Sequence, residues 1–150
     1  MNDTGTARYK AGATLPTDGD VAAALIDWLK ETLDQGIFDA VLIPVEVPAG
    51  DSFAYLLLQD PSILGRAAPL PPVMPVQGGK AISQLTMRGK GDKRVAAVVR
   101  PCEARAAVEL TKLKQAHMDN VWLITVDCPG VLPLADYLAD PVTSAARFMQ

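Results

Sequence analysis

The stretch from Arg94 to Gly130, RVAAVVRPCEARAAVELTKLKQAHMDNVWLITVDCPG, constrains the fold more than any other part of the chain. Val95 to Val99 is a short apolar run rich in β-branched residues, which predicts a strand. Arg100-Pro101 closes it, because proline restricts the residue before it and opens helices readily. Ala106, Ala107, Leu110 and Leu113 then lie along one stripe of a helix between Glu103 and Gln115. Val121 to Val126 predicts a second strand, stopped by Cys128-Pro129-Gly130. Two strands joined by a crossover helix lie parallel and connect right-handedly.

That unit places a cysteine just beyond the carboxyl end of each strand, at Cys102 and Cys128. Ligands of open α/β sheets bind outside those ends. Cys102 also falls where a helix begins, and unpaired N–H groups there favour a thiolate. Arg100 and Arg105 add to that field, and Glu103 opposes it. Two thiolates facing one crevice suit a metal or iron–sulfur site, although two sulfurs do not close a tetrahedral one. The competing readings are two buried, inert cysteines, or thiol redox chemistry without metal.

The flanking segments extend the α/β pattern. Val21, Leu25, Trp28, Leu29 and Leu33 form the apolar stripe of a helix over Asp20–Gln35, with Asp20 as its cap and Gly36 as its end. Phe38–Val47 and Phe53–Leu58 predict two strands joined at Pro48-Ala49-Gly50-Asp51, an antiparallel hairpin. The second is apolar at both parities, which implies cover on both faces. Residues 59–75 carry five prolines and predict an extended, polyproline-like connector. Gln77-Gly78-Gly79-Lys80 leads into a short helix over Ala81–Met87. Glycines before a helix admit an anion, and Lys80 adds a point charge, but the loop has neither of the standard phosphate-binding spacings. Leu132, Leu134, Tyr137 and Leu138 suggest a last short helix, and residues 1–18 a flexible arm. His117, near the end of the crossover helix, is placed as a surface residue.

Several function classes are excluded. The net charge of −3 gives no electrostatic footprint for nucleic acid. No apolar run is long enough to span a bilayer, and the start of the chain lacks a secretory core, so a cytoplasmic location is expected. A disulfide framework needs more than two cysteines.

Four passages together resemble one family: FDAVLIPVEVPAGDSFAYLLLQDP, PPVMPVQGGKAISQLT, AAVVRPCEARAAVELTKLKQ and VWLITVDCPG. They look like the N-terminal domain of the coenzyme F-420 hydrogenase/dehydrogenase beta-subunit family, over roughly Phe38 to Tyr137. The resemblance implies an electron-transfer oxidoreductase that moves electrons between an iron–sulfur cluster and FAD, in some members onward to a deazaflavin coenzyme. Carried over by motif, Cys102 and Cys128 would ligate a [4Fe–4S] cluster, and Gln77, Gly78, Gly79 and Lys80 would lie at the flavin. Family members usually continue into a larger half with further cysteines, which this sequence lacks after Cys128. The missing ligands would come from other redox subunits or from a C-terminal half. The alternative is a docking domain of a larger redox complex without cofactors of its own. The expected fold is thus α/β: a mixed sheet with flanking helices, an N-terminal hairpin followed by a right-handed βαβ unit, in a single domain over residues 19–150.

Overall fold

A computed structural model describes residues 14–148, so most of the arm expected over residues 1–18 lies outside the described residues. Helix α1 spans Val21–Asp34, and Asp20 caps it by accepting from Ala23 N at 2.9 Å. Strands β1 (Ala40–Glu46) and β2 (Phe53–Leu58) follow, and then a 3-10 helix over Pro61–Arg66. Helix α2 (Gly78–Thr86), strand β3 (Val95–Val99), helix α3 (Pro101–Lys112) and strand β4 (Val121–Thr125) come next. Two short helices, α4 (Leu134–Ala139) and α5 (Pro141–Phe148), end the described chain.

The strands form one sheet in the order β2-β1-β3-β4. β1 and β2 pair antiparallel, from Val41↔Leu58 to Glu46↔Phe53, as a hairpin. β1 and β3 are parallel, as are β3 and β4 on either side of α3. The expected mixed α/β sheet is therefore present. The β1–β3 ladder ends at Leu42↔Ala97, just before Pro44, which has no N–H with which to extend a ladder.

Strand alternation splits the core into two layers. Val41, Ile43, Val45, Ala96 and Val98 face α1 and the 3-10 helix, where Leu25, Leu29 and Leu64 meet them. Ala40, Leu42, Val95, Ala97 and Val99 face the other way, onto Ala81 and Ile82 of α2 and Ala107 of α3. A third cluster, Phe53, Val73 and Tyr137, lies at the turn end of the hairpin, with the Phe53 and Tyr137 rings 6.2 Å apart.

The structure corrects four expectations. β2 is an edge strand, and Leu56 and Leu57, which point to opposite faces, are both exposed, so neither face has the full cover its double-apolar pattern implied. The proline-rich connector begins as a 3-10 helix capped by Asp60, whose carboxylate accepts from Ser62 N at 2.8 Å. Its later part is tucked in, with Pro69, Pro71, Pro72 and Val73 buried. On α3 the buried positions are Glu103 and Ala107, while Leu113 at the end of the expected stripe is exposed. Finally, α5 extends the helical segment beyond the single helix expected there. In α1 and α4, Val21, Leu134 and Leu138 are likewise exposed, and Tyr137 alone of the C-terminal stripe is fully buried.

Candidate functional site

Parallel pairing brings equivalent strand ends to one edge of a sheet. β3 and β4 run in register through Val99↔Thr125. Cys102 is the third residue past Val99, and Cys128 the third past Thr125, so both leave the sheet at the same carboxyl edge. Both thiols are free and exposed, which removes the reading of two buried, inert cysteines. Cys102 lies in the first turn of α3, which Pro101 opens. At Cys128 the chain turns sharply: Gly130 adopts φ +113°, and its N–H donates to Cys128 Sγ at 3.4 Å. An amide aimed at sulfur is a contact that stabilises a thiolate ligand and raises the potential of a cluster it holds.

The two cysteine segments are tied to a common strut. Arg100 is buried; its guanidinium donates to the Pro71 carbonyl and lies 4.0 Å from Met74 Sδ. From the other side, Leu132 N donates to the Pro72 carbonyl at 2.7 Å. The proline run thus lies between the segment bearing Cys102 and the segment that follows Cys128, bonded to both. Proline's fixed φ makes such a strut stiff.

Beneath Cys102 sits a polar centre that sequence reasoning missed. Glu103, 1% exposed, turns inward instead of facing the thiol's surroundings. Its Oε1 accepts from Gly78 N at 2.6 Å, and its Oε2 accepts from Tyr55 Oη and from Arg100 N, each at 2.8 Å. Three donors on one carboxylate offset the several kcal/mol that burying such a group costs, since each charge-assisted bond contributes roughly 1.5–3 kcal/mol. Burial first, and then the neighbouring carboxylate, push the Tyr55 phenol far above its ordinary range, so Tyr55 is held as a donor. Two signals for Glu103 were present in the sequence. Glutamate at the third position of a helix caps the preceding N–H groups, and Glu103 with Ala107 forms an i, i+4 pair. A small cavity of about 10 Å³, room for a single water, adjoins this centre between Tyr55, Met74, Arg100 and Glu103.

The Gln77–Lys80 segment meets this centre from α2. Gln77 is the N-cap, and its side chain accepts from Lys80 N at 2.9 Å. Gly78 N is bound to Glu103. Both glycines are buried, and the close approach they allow is to the protein's own atoms. A Cβ on Gly78 would meet Tyr55 Oη at 2.6 Å and Val99 Cγ1 at 2.9 Å. One on Gly79 would meet Ala106 Cβ at 3.0 Å and Ala107 N at 3.1 Å. Lys80 is exposed in the first turn of α2 and carries its charge into solvent. His117 is exposed, and its backbone N–H donates to Thr86 Oγ1 at 3.0 Å, away from the cysteines.

The donor set bears directly on an iron–sulfur cluster. Among the described residues no group of three or more His, Cys, Asp or Glu is placed to hold a metal ion. The two thiols fit half of a four-thiolate cluster and do not complete one. No helix among the described residues is long and apolar enough to cross a membrane.

No family model matches the chain. Individual relatives do. The beta subunit of F420-dependent formate dehydrogenase 1 of Methanococcus maripaludis is 32% identical over 116 residues, which is 77% of this chain and 29% of the relative. The beta subunit of F420-dependent formate dehydrogenase of Methanocaldococcus jannaschii is 38% identical over 58 residues, 39% of this chain and 14% of that protein. The chain therefore spans less than a third of the length of the curated relatives it matches. With the α/β sheet, the PCEARA helix start and the DCPG turn in place, the chain is similar to the beta subunits of F420-dependent formate dehydrogenases, consistent with an F420-related beta-subunit family.

Proposed function

We propose that this chain is an electron-transfer module of a dehydrogenase-type redox assembly, working in the cytoplasm as one α/β domain of a longer architecture. The observation that carries the reading is the in-register pairing of β3 with β4, which leads two exposed thiols off one edge of the sheet. The relatives' names, which are those of formate dehydrogenase subunits, support a redox role.

In this reading Cys102 and Cys128 supply two thiolates to a [4Fe–4S] cluster. The others come from partner redox subunits or from the remainder of a longer chain. Gln77, Gly78, Gly79 and Lys80 form the segment toward FAD. Because Gly78 and Gly79 are filled by α3, Tyr55 and Val99, the group free to meet a phosphate is the exposed Lys80 ammonium at a helix start. FAD, when bound, supplies exchange between one- and two-electron chemistry, and some assemblies of this kind hand electrons on to a deazaflavin. The chain's own task is to hold, orient and tune.

Anaerobic reconstitution of the 150-residue chain with iron and sulfide is the test. Little bound iron is expected from two thiols alone, and a brown, iron-loaded protein when the cognate subunits are present. Stoichiometric iron in the isolated chain would refute the shared-ligand reading. The incomplete donor set also favours a second reading, a docking domain that carries no cofactor. That reading predicts a colourless chain whose assembly keeps its iron after both cysteines are replaced.

A further inference from the structure

We propose that Glu103 is the positioning residue of this site: one buried carboxylate that clamps the start of α2 to the start of α3, so that Lys80 and Cys102 move as a single body. The functional meaning rests on the reading above, but the clamp itself does not.

The geometry is specific. Both carboxylate oxygens are used, and their three donors come from three different elements: Gly78 N from α2, Arg100 N from the junction of β3 and α3, and Tyr55 Oη from β2. Glu103 directly follows Cys102, and Gly78 lies two residues before Lys80. A shift of the α2 start therefore pulls on the helical turn that carries the thiol. The glycine contacts tighten this link, since Gly78 rests against Tyr55 and Val99, and Gly79 against Ala106 and Ala107. Among the described residues no buried carboxylate holds Cys128 in this way. Its turn bonds to itself through Gly130, and the chain beyond it is tied to Pro72. Cys128 is thus an internal control on the same edge of the same sheet.

A glutamine at position 103 keeps the volume but exchanges one acceptor oxygen for a donor NH₂, which then faces a protein N–H or O–H. The clamp must open at one side. Tyr55→Phe removes a single donor and leaves the two backbone bonds in place.

The test uses the metal-free 150-residue chain, with amide hydrogen exchange and thiol alkylation as readouts. In the unmodified chain the Gly78 and Arg100 amides should show the same protection, within about threefold, because one opening event exposes both. In Glu103→Gln both should exchange at least about tenfold faster, the loss of a charge-assisted bond. The alkylation rate of Cys102 should change by at least about threefold while that of Cys128 stays constant, as expected when local opening is confined to one unit. Tyr55→Phe should leave both amides within about twofold of the unmodified chain. The clamp is overturned if the two amides open independently in the unmodified chain, a comparison that stands even if Glu103→Gln fails to fold. It is also overturned if Glu103→Gln leaves Cys102 unchanged, or alters Cys102 and Cys128 alike. Iron is absent from every arm, so failure of the clamp is distinguishable from failure of the cluster reading, which the reconstitution measures.

Discussion

Replacing Gly79 by alanine separates two uses of a glycine at a helix start: room for a cofactor, or room for a neighbouring helix. The added Cβ would stand 2.9 Å from Gln77 Oε1, 3.0 Å from Ala106 Cβ and 3.1 Å from Ala107 N. Carbon contacts are comfortable at about 3.5–4.0 Å, so the shortfall is roughly half an ångström to one ångström. Ala107 N is backbone and does not swing aside. Gln77 Oε1 moves only by giving up its bond to Lys80 N, a cap worth about 1 kcal/mol. Overpacking of this kind costs about 1–3 kcal/mol. The better helix propensity of alanine returns at most about 1 kcal/mol. The net expectation is destabilisation by about 1–3 kcal/mol, a fall in Tm of roughly 3–9 °C for a chain of this size. Thermal unfolding of the cofactor-free chain, followed by circular dichroism, measures it. Gly65→Ala is the control, because nothing lies within 4 Å of its added Cβ; it should be neutral or stabilising by up to about 1 kcal/mol. If Gly79→Ala unfolds at or above the unmodified temperature, the close packing of α2 on α3 is not what the glycine serves.

Other outcomes follow from single contacts. The Arg94 guanidinium hydrogen-bonds Asp39 at 2.8 Å and, with the Arg94 N–H, lowers its carboxyl from 3.8 to about 2. The native value lies below the unfolded one, so the contribution is complete above about pH 4 and disappears as pH falls through about 2. Asp39→Asn should accordingly be less stable than the unmodified chain at pH 7 and converge with it near pH 2 in urea titrations. Tyr137→Ala removes a fully buried ring from the Phe53–Val73 cluster and should cost about 3–5 kcal/mol, read from the urea midpoint. Lys80→Ala should reduce flavin retention in the intact assembly, with a greater loss at low salt than at high salt, because an exposed charge is screened. Equal retention at both salt concentrations would leave Lys80 without a role at the flavin.

The elements that the sequence predicts best are those whose signals are local. Val95–Val99 and Phe53–Leu58 are strands within the expected bounds because β-branched and aromatic runs end at turn residues. Asp20 caps α1, and Pro101 opens α3, for equally local reasons. What was not legible depends on neighbours distant in sequence. Whether Leu56 and Leu57 are covered is decided by strand order, and β2 falls at an edge. The glycines of α2 suggested an open anion loop, yet their space is taken by Tyr55, Val99 and α3. Glu103 looked like a charge acting against the Cys102 thiolate. Its true surroundings needed Tyr55, 48 positions away, and Gly78, 25 positions away, to be brought together. The common edge of the two cysteines was readable because parallel βαβ geometry alone fixes it.

The central claim, that Cys102 and Cys128 ligate one cluster, is tested most directly by iron content. The intact assembly containing this chain would be purified anaerobically with Cys102→Ser and, separately, with Cys128→Ser. Each single replacement should remove or convert the same cluster, a loss of about four irons per chain or a shared change in its electron paramagnetic resonance signal. Retention of full iron and an unaltered signal in both variants would contradict the claim and leave the carboxyl edge a docking surface.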